Sequence, residues 1–404
     1  MKYCKIFLAG AILFCASERG ASQSLPNSAS KQYYLVLQNW LRDSVKVKSQ
    51  LESFVTTPLD DLFDWNEITR RAFAENWVNL SGSWQKRYTQ AVRKCIMKTT
   101  ASRLPELRAY LHEKNIRWEE ESINKDKAKT GFHFVRDNAI EKISLRLLFS
   151  GETWKVYDVR TENFRLIRDV LSAFDDLISN GFSHEYVEAV IVNDTAFTID
   201  NFNANEDGDY PKLWGWRKKD DDYIRANKRL YFIQKENEDA FLSSETSDAS
   251  VALVKPFSYH IKEYPYLSWR WRLREFSAGR ETDRFQTQIT EVVVIFYQNW
   301  LGAPVTLHYV WDPTASPCAT IRKEGFMFDS YAKVIRTEST PSDAWFIENV
   351  NPFEDYGRIF GEDPPEQIIG IYLSTESDSG QAVSKIDFDD FVVRKATNLP
   401  SCSK

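Results

Sequence analysis

The feature that most constrains this chain is a change of hydrophobic period near Asn193. Before it, apolar residues recur at helical spacing in some segments and at strand spacing in others. After it, nearly every segment is a short strand bounded by Gly, Pro, Asn or Asp. One hydrophobic core does not accommodate both grammars, and 404 residues is about twice the usual domain length. The expectation is therefore two domains that divide between Val192 and Phe197. Residues 32–192 form an α+β domain, with helices packed on an antiparallel sheet. Residues 197–394 form an all-β sandwich, jelly-roll-like in its run of about ten strands with turns about every 8–12 residues.

Strand patterns in the first part cover 115–122, 127–135, 139–149 and 153–160. In the third, Ile143, Leu145, Leu147 and Phe149 point one way, while Lys142, Ser144 and Arg146 point the other. In "ETWKVYDV", Trp154 and Val156 share a face opposite Lys155 and Tyr157. Such a sheet has one apolar face, which helices must cover. Residues 34–54 carry a long helical pattern. "DWNEITRRAFAENW" opens on Asp64 with Glu67 three residues on, a capping-box spacing. In "SWQKRYTQAVRKCIMKT", Trp84, Tyr88, Ala91, Val92, Cys95 and Ile96 repeat at three and four. Phe164, Ile167, Val170, Leu171, Phe174 and Ile178 make a further stripe after the last strand.

In the second part "YLSWRWRLREF" alternates cleanly. Leu267, Trp269, Trp271 and Leu273 take one face, and Ser268, Arg270, Arg272 and Arg274 the other. "ITEVVVIFY" reads as a central buried strand. "VTLHYVW", "YAKVIRT", "AWFIENV", "IIGIYLST" and "SKIDFDDFVV" are further strands, and "FEDYGRIFG" after Pro352 is a helix. The chain holds 13 Trp, 18 Tyr and 26 Phe, a supply that suits aromatic-lined β-structure or a large apolar binding surface. Trp269, Trp271, Trp300, Trp311 and Trp345 are candidate stacking faces for a glycan, although Trp269 and Trp271 share their face with leucines and read as core. Arg270, Arg272 and Arg274 form a basic ladder that meets phosphate or lipid headgroups, or else a solvated sheet face. Asp378, Asp387, Asp389 and Asp390 are the candidates for Ca²⁺, at a spacing unlike a known loop.

The amino terminus has the organisation of an export signal. "MKYCK" is basic, "IFLAGAILFCA" is an apolar run of eleven, and "SERGASQS" supplies small residues for cleavage after Ser17 or Ser22. The run is short for a bilayer span, and nothing later approaches that length. A retained anchor and a lipoprotein attached through Cys15 are the other readings. The latter is disfavoured by Leu13 and Phe14, where small residues belong. Beyond residue 22 remain Cys95, Cys318 and Cys402. Cys95 sits on the apolar face of a helix as a buried thiol, and a Cys318–Cys402 bridge is permitted in an oxidising compartment.

Two resemblances add to this reading. Residues 32–192 resemble the periplasmic phospholipid carriers of the MlaC (toluene-tolerance) type. The resemblance rests on "FDWNEITRRAFAENW", the "SWQKRYTQAVRK" helix, "ETWKVYDV" and the "FRLIRDVLSAFDDLI" helix, in matching order and spacing. The segment "INKDKAKTGFHFVRD" is compact and polar beside the family pattern, and those carriers are usually free-standing. The remainder resembles domain-of-unknown-function family 3047, through "YPYLSWRWRL", "LHYVW", "FEDYGRIFGEDPP" and "STESDSG". "RETDRFQ" stands where that pattern has paired aspartates, and "STESDSG" is less acidic than the pattern.

The first resemblance implies an apolar pocket between sheet and helices that takes phospholipid acyl chains. The residues placed to line it are Phe73, Trp77, Ile143, Leu145, Leu147, Trp154, Val156 and Ile167, which otherwise make an ordinary dry core. The implied protein is an exported, periplasmic phospholipid binder or carrier in bacterial envelope lipid transport and outer-membrane asymmetry. Its sandwich docks it to a partner such as an inner- or outer-membrane lipid-transport complex, to a membrane, or to envelope glycan. The rival reading makes the sandwich a glycan-binding or glycan-cleaving module.

No cofactor is expected, and enzyme signatures are missing. His112, His133, His184, His260 and His308 stand apart with no HExxH, and there is no G-x-S-x-G, P-loop or dinucleotide fingerprint. A paired-carboxylate glycosidase on the jelly roll stays open, since such pairs come from distant strands. The net charge of −6, with no basic stripe, excludes nucleic acid as the expected partner.

Overall fold

The computed structural model describes residues 31, 58–107, 116–136, 139–151, 153–161, 165–216, 230–247, 250–277, 288–323, 330–338, 344–376 and 383–396. The export segment, the 34–54 helix pattern, Phe164 and Asp378 lie outside them. The chain divides into two compact units between Asn193 and Asp194. Among the described residues, no helix is long and apolar enough to cross a membrane.

The first unit is a helix layer on an antiparallel sheet. Its helices are α1 (Pro58–Leu62), α2 (Trp65–Ala72), α3 (Gly82–Leu107), α4 (Ser172–Ser179) and α5 (His184–Val192). A 3₁₀ turn, Asn76–Asn79, precedes α3, and a π-helical turn, Ile167–Leu171, runs into α4. Asp64 caps α2 by accepting from the Glu67 N–H at 2.9 Å, as the capping-box spacing anticipates. α5 ends on Asn193 at φ 54°, a left-handed residue that releases the chain toward the second unit.

The sheet runs β1 (Arg117–Trp118), β3 (Lys127–Arg136), β4 (Ala139–Ser150), β5 (Thr153–Arg160), with β2 (Ser122–Asn124) also paired to β3. The single strand expected over 115–122 is thus two short pieces, both hydrogen-bonded to β3. A bulge sits where Arg146 and Leu147 of β4 face Asp158 and Val156 of β5. It inserts Tyr157 as an extra residue, so simple alternation along "ETWKVYDV" stops there. Val156 and Val159 consequently come opposite Leu147 and Leu145.

The second unit is a sandwich of two sheets. One runs β14 (Thr320–Lys323), β15 (Ser330–Arg336), β13 (Pro304–Trp311), β12 (Thr290–Gln298), β17 (Gly370–Glu376), β10 (Ser250–Pro256), β7 (Gly215–Trp216). The other runs β16 (Phe346–Val350), β11 (Tyr266–Ser277), β18 (Val383–Arg394), β9 (Asp239–Ser247), β8 (Tyr231–Glu236), with β6 (Ala196–Asp200) paired to β18. α6 (Pro352–Phe360) leads from β16 toward β17.

The two sheets meet through rings. Trp271 packs on Trp311 at 5.2 Å and Trp269 on Tyr309 at 6.1 Å, and all four are fully buried. Buried indoles need acceptors. Trp271 donates to Glu348 at 2.9 Å and Trp311 to the Glu338 carbonyl at 2.6 Å. Trp269, Trp271 and Trp311, with Trp214, thus go into the core of a jelly-roll-like sandwich.

Candidate functional site

The first unit has two unlike sheet faces. Ala128, Thr130, Phe132 and Phe134 of β3, Ile143, Leu145 and Leu147 of β4, and Val156 and Val159 of β5 are all buried. Register puts Thr130 beside Leu145, Leu145 beside Val159 and Leu147 beside Val156. The helix layer is tied to this sheet at β5. The Asp64 N–H donates to the Val156 carbonyl at 2.9 Å, and Phe63 bridges to Val156. On the next stretch the Ile167 N–H reaches the buried carboxylate of Asp158 at 3.4 Å.

Of the residues singled out for an acyl-chain pocket, Leu145, Leu147 and Val156 come together on one seam, with Ile143 further along β4. Trp154 is half-buried against Phe149 at 5.2 Å, and Ile167 is half-buried at the π turn. Phe73 belongs to a different cluster. It stacks on Tyr88 of α3 at 4.7 Å, and Tyr88 holds His184 Nδ1 at 2.8 Å. Trp77 is buried on the 3₁₀ turn, its carbonyl accepting from Gln85 at 2.9 Å. The side chains of Leu145, Leu147 and Val156 are fully buried, so in this form the seam is closed.

His184 belongs to that inter-helix cluster, held below its usual pKa by burial and by the neighbouring Arg87 guanidinium. Burial also pushes the Tyr88 hydroxyl well above its usual range. Cys95 is a buried thiol, as its helical position implied.

The opposite face of the sheet is polar and open. Lys129, Lys142, Ser144 and Arg146 of β3 and β4, with Arg160 at the end of β5 and Thr161 and Arg165 beyond it, line a cleft of about 460 Å³ that Ile140 borders. Ser144 is its buried floor, and Gly131 opposite adds no side chain. Only glycine fits there, because a Cβ would stand 2.2 Å from the Ile143 carbonyl oxygen. The alternation in β4 marked these residues as outward; which strands flank them was not readable from β4 alone.

In the sandwich, the basic ladder on β11 is neither a headgroup site nor a solvated face. Register sets Arg270 opposite Asp389 and Arg272 opposite Asp387 on β18. Arg272 donates to Asp387 at 2.6 Å, and Arg274 pairs with the same carboxylate at 2.9 Å. Arg270 holds Asp389 and Asp239, and Arg272 also holds Glu236. Trp345 lies over both guanidiniums, 4.6 and 4.8 Å from ring centre to Cζ. Asp387 and Asp389 are therefore arginine partners, which removes them from a Ca²⁺ set. Among the described residues, no group of three or more His, Cys, Asp or Glu is placed to hold a metal ion. Burial pushes the Asp389 carboxyl up to about 7, against the opposing pull of Arg270.

The glycan reading loses its aromatic strip. Trp269, Trp271 and Trp311 are core, Trp345 covers the arginines, and Trp300 is 90% exposed at a turn. A polar network missed in the sequence surrounds His308. Its Nδ1 lies 2.8 Å from Glu291, its Nε2 lies 3.0 Å from Thr306, and the Tyr372 hydroxyl is at 3.5 Å. The histidine that stands apart in sequence is thus buried in contact with a carboxylate from β12. The one sequence signal was its place on the even-numbered set of β13 with Thr306, away from core-facing Tyr309 and Trp311. Cys318 is disulfide-bonded, to a partner outside the described residues.

Comparison with known proteins divides along the same line. Residues 30–191 match the family model described as MlaC protein. Residues 215–392 match the one described as a protein of unknown function, DUF3047. Among solved structures, a phospholipid-binding protein from Ralstonia solanacearum, determined with a bound phospholipid, shares 16% identity. It covers 43% of this chain and 96% of its own, with a TM-score of 0.35. A family 12 xyloglucanase from Bacillus licheniformis shares 11% identity over 50% of this chain and 94% of its own, TM-score 0.26. A family 11 xylanase from Neocallimastix patriciarum shares 11% over 49% and 98%, TM-score 0.25. No curated protein matches the chain.

Proposed function

We propose that the first unit binds phospholipid by its acyl chains, between the helix layer and the apolar face of the sheet, and that the protein carries lipid within a bacterial envelope. The match of residues 30–191 to the MlaC family carries this reading. The seam supplies the chemistry: each methylene taken out of water is worth about 0.8 kcal/mol, so a chain needs a continuous apolar shield. Leu145, Leu147, Trp154, Val156 and Ile167 are the walls of that shield. Because the seam is closed, lipid enters as the helix layer parts from the sheet. The π turn at Ile167–Leu171, where the helix departs from its regular ladder, is where the layer gives.

Export to the periplasm fits the amino-terminal sequence and the disulfide at Cys318, which persists in an oxidising compartment. The sandwich is the docking half toward membrane-bound partners, and no chemical step is assigned to either unit.

The test is mass spectrometry of the organic extract of the full-length protein purified without detergent. Phospholipid near one equivalent is expected. Leu145→Trp fills the seam and is expected to cut retained lipid several-fold, at a stability cost of about 1–3 kcal/mol for overpacking. A wild type without lipid, or a Leu145→Trp variant that is folded and equally loaded, returns the seam to ordinary core.

A further inference from the structure

The outer face of the first unit's sheet carries a feature that lipid carriage does not use. Five cationic side chains converge on the cleft: Lys129, Lys142, Arg146, Arg160 and Arg165. Lys142 is paired to Glu119, and Arg160 to Asp158 at 2.5 Å. Lys129 and Arg146 have no ion-pair partner among the described residues. Among the described residues that line the cleft there is no carboxylate, and the acids paired to it are Glu119 and Asp158, in a chain whose net charge is −6. Concentrating positive charge against the balance of the whole molecule creates a local field for anions.

Beside the cations stands an apolar pair. Ile140 is 64% exposed and Val135, its directly opposed partner across β3 and β4, is 54% exposed. An enclosed site for a small anion buries its donors. Here Lys129, Lys142 and Arg165 are exposed, and the aliphatic pair adjoins them on the same face. Exposed aliphatics next to basic groups are the composition of a surface that rests in the headgroup region of a bilayer.

We infer that this face docks the protein on an anionic lipid surface, with lipid phosphates drawn into the cleft and Ile140 and Val135 entering the interface. The inference goes beyond lipid carriage and does not require it, since the docking face is the side of the sheet away from the helices. A bilayer surface, and not a free phosphate, is the intended occupant because the aliphatic pair has no use in binding a free anion.

The experiment is co-sedimentation of the full-length protein with vesicles of phosphatidylcholine alone, or of phosphatidylcholine with phosphatidylglycerol. Binding is expected only to the anionic vesicles, weakening as salt screens the charges. The double variant Lys129→Ala, Arg146→Ala is expected to bind about thirty-fold more weakly, the factor for two basic residues at such a surface. Ile140→Ser is expected to lose several-fold more, with the salt dependence unchanged. Both changes are at open positions, and a circular dichroism melt matching wild type certifies the fold.

Equal binding to neutral vesicles, or wild-type binding by the double variant, overturns the inference. Displacement by inorganic phosphate at matched ionic strength also overturns it, by showing a free-anion site instead. Lipid extracted from the same variants separates the two readings: an empty wild type that still sediments defeats carriage alone, and a loaded one that does not sediment defeats docking alone.

Discussion

β4 of the first unit and β11 of the second are close to the same sentence in sequence. Each alternates apolar residues with polar or basic ones, Lys142, Ser144 and Arg146 in one, Arg270, Arg272 and Arg274 in the other. In each, the apolar set is buried and the basic set points away from the core. Their fates then diverge. β11 lies beside β18, which delivers Asp387 and Asp389 to the same face and register. β4 lies between β3 and β5, which deliver Lys129 and Arg160, and the one acid, Asp158 opposite Arg146, is buried and taken up by Arg160. One ladder closes into an ion network under Trp345, and the other stays an open basic cleft. What a strand's outward residues do is decided by its neighbours, which alternation does not reveal.

The largest expected effect comes from breaking the closed ladder. Asp387 is 0% exposed and pairs with two arginines. Asp387→Ala strands Arg272 beside Glu236 alone, and loss of one partner of a buried pair costs about 3–5 kcal/mol. Urea unfolding followed by hydrogen exchange over the second unit measures it. Replacing Arg272 and Asp387 together by Met and Leu is expected to cost much less, because no buried charge is left unpaired. If the single and double variants are equally destabilised, packing and not charge holds that face.

The same contrast shows how far the sequence reaches. The periods of "YLSWRWRLREF" and "EKISLRLLF" give the strands and their buried sides, and Asp64 with Glu67 gives the start of α2. Those signals are local, set by side-chain alternation and by one cap. The bulge at Tyr157, the pairing of Arg272 with Asp387, and the meeting of His308 with Glu291 join residues at strand-to-strand distance. Neither partner's sequence neighbourhood names the other. Of the apolar-pocket residues, Leu145, Leu147 and Val156 share a seam, while Phe73 instead joins Tyr88 in a stack that helical spacing alone does not distinguish from a sheet-facing position.

A middle-sized effect separates the two units by pH. Asp389 has a folded pKa of about 7, raised from 3.8 by burial. The folded state holds a proton that the unfolded chain has released, so this contribution is full in acid and is lost as pH rises through about 7. His184, facing Tyr88 and Arg87 with Glu185 and Glu188 nearby, is lowered from 6.5 by burial. There the unfolded chain takes a proton that the fold resists, so stability is lost as pH falls through 6.5 and below. Each slope is at most about 1.4 kcal/mol per pH unit. Hydrogen exchange read separately over the two units is expected to show opposite trends, flattened by Asp389→Asn in the second and His184→Gln in the first. Parallel trends would mean that neither group governs its unit.

The smallest effect in stability is the sharpest test of the comparison, because it converts the open face into the closed one. Ser144 is the residue of β4 that stands opposite Arg160 of β5 and at the floor of the basic cleft. Ser144→Asp places a carboxylate on β4 opposite Arg160, as β18 places Asp387 opposite Arg272, so Arg160, already held by Asp158, gains a second acid and its neighbours Lys129 and Arg146 gain a first. A cross-strand pair of opposite charge contributes about 0.2–1 kcal/mol, and the burial of the position offsets that gain, so the melting temperature is expected to move little. Vesicle binding is expected to fall, because the new carboxylate draws in the cations that face the membrane. Lys129→Ala and Arg146→Ala, changes at the open rim, are expected to leave stability within about 0.5 kcal/mol while lowering vesicle binding further. If Ser144→Asp instead leaves binding intact, the cations act singly and not as one cleft. The difference between the two ladders would then be one of exposure alone, with no consequence for what the face recognises.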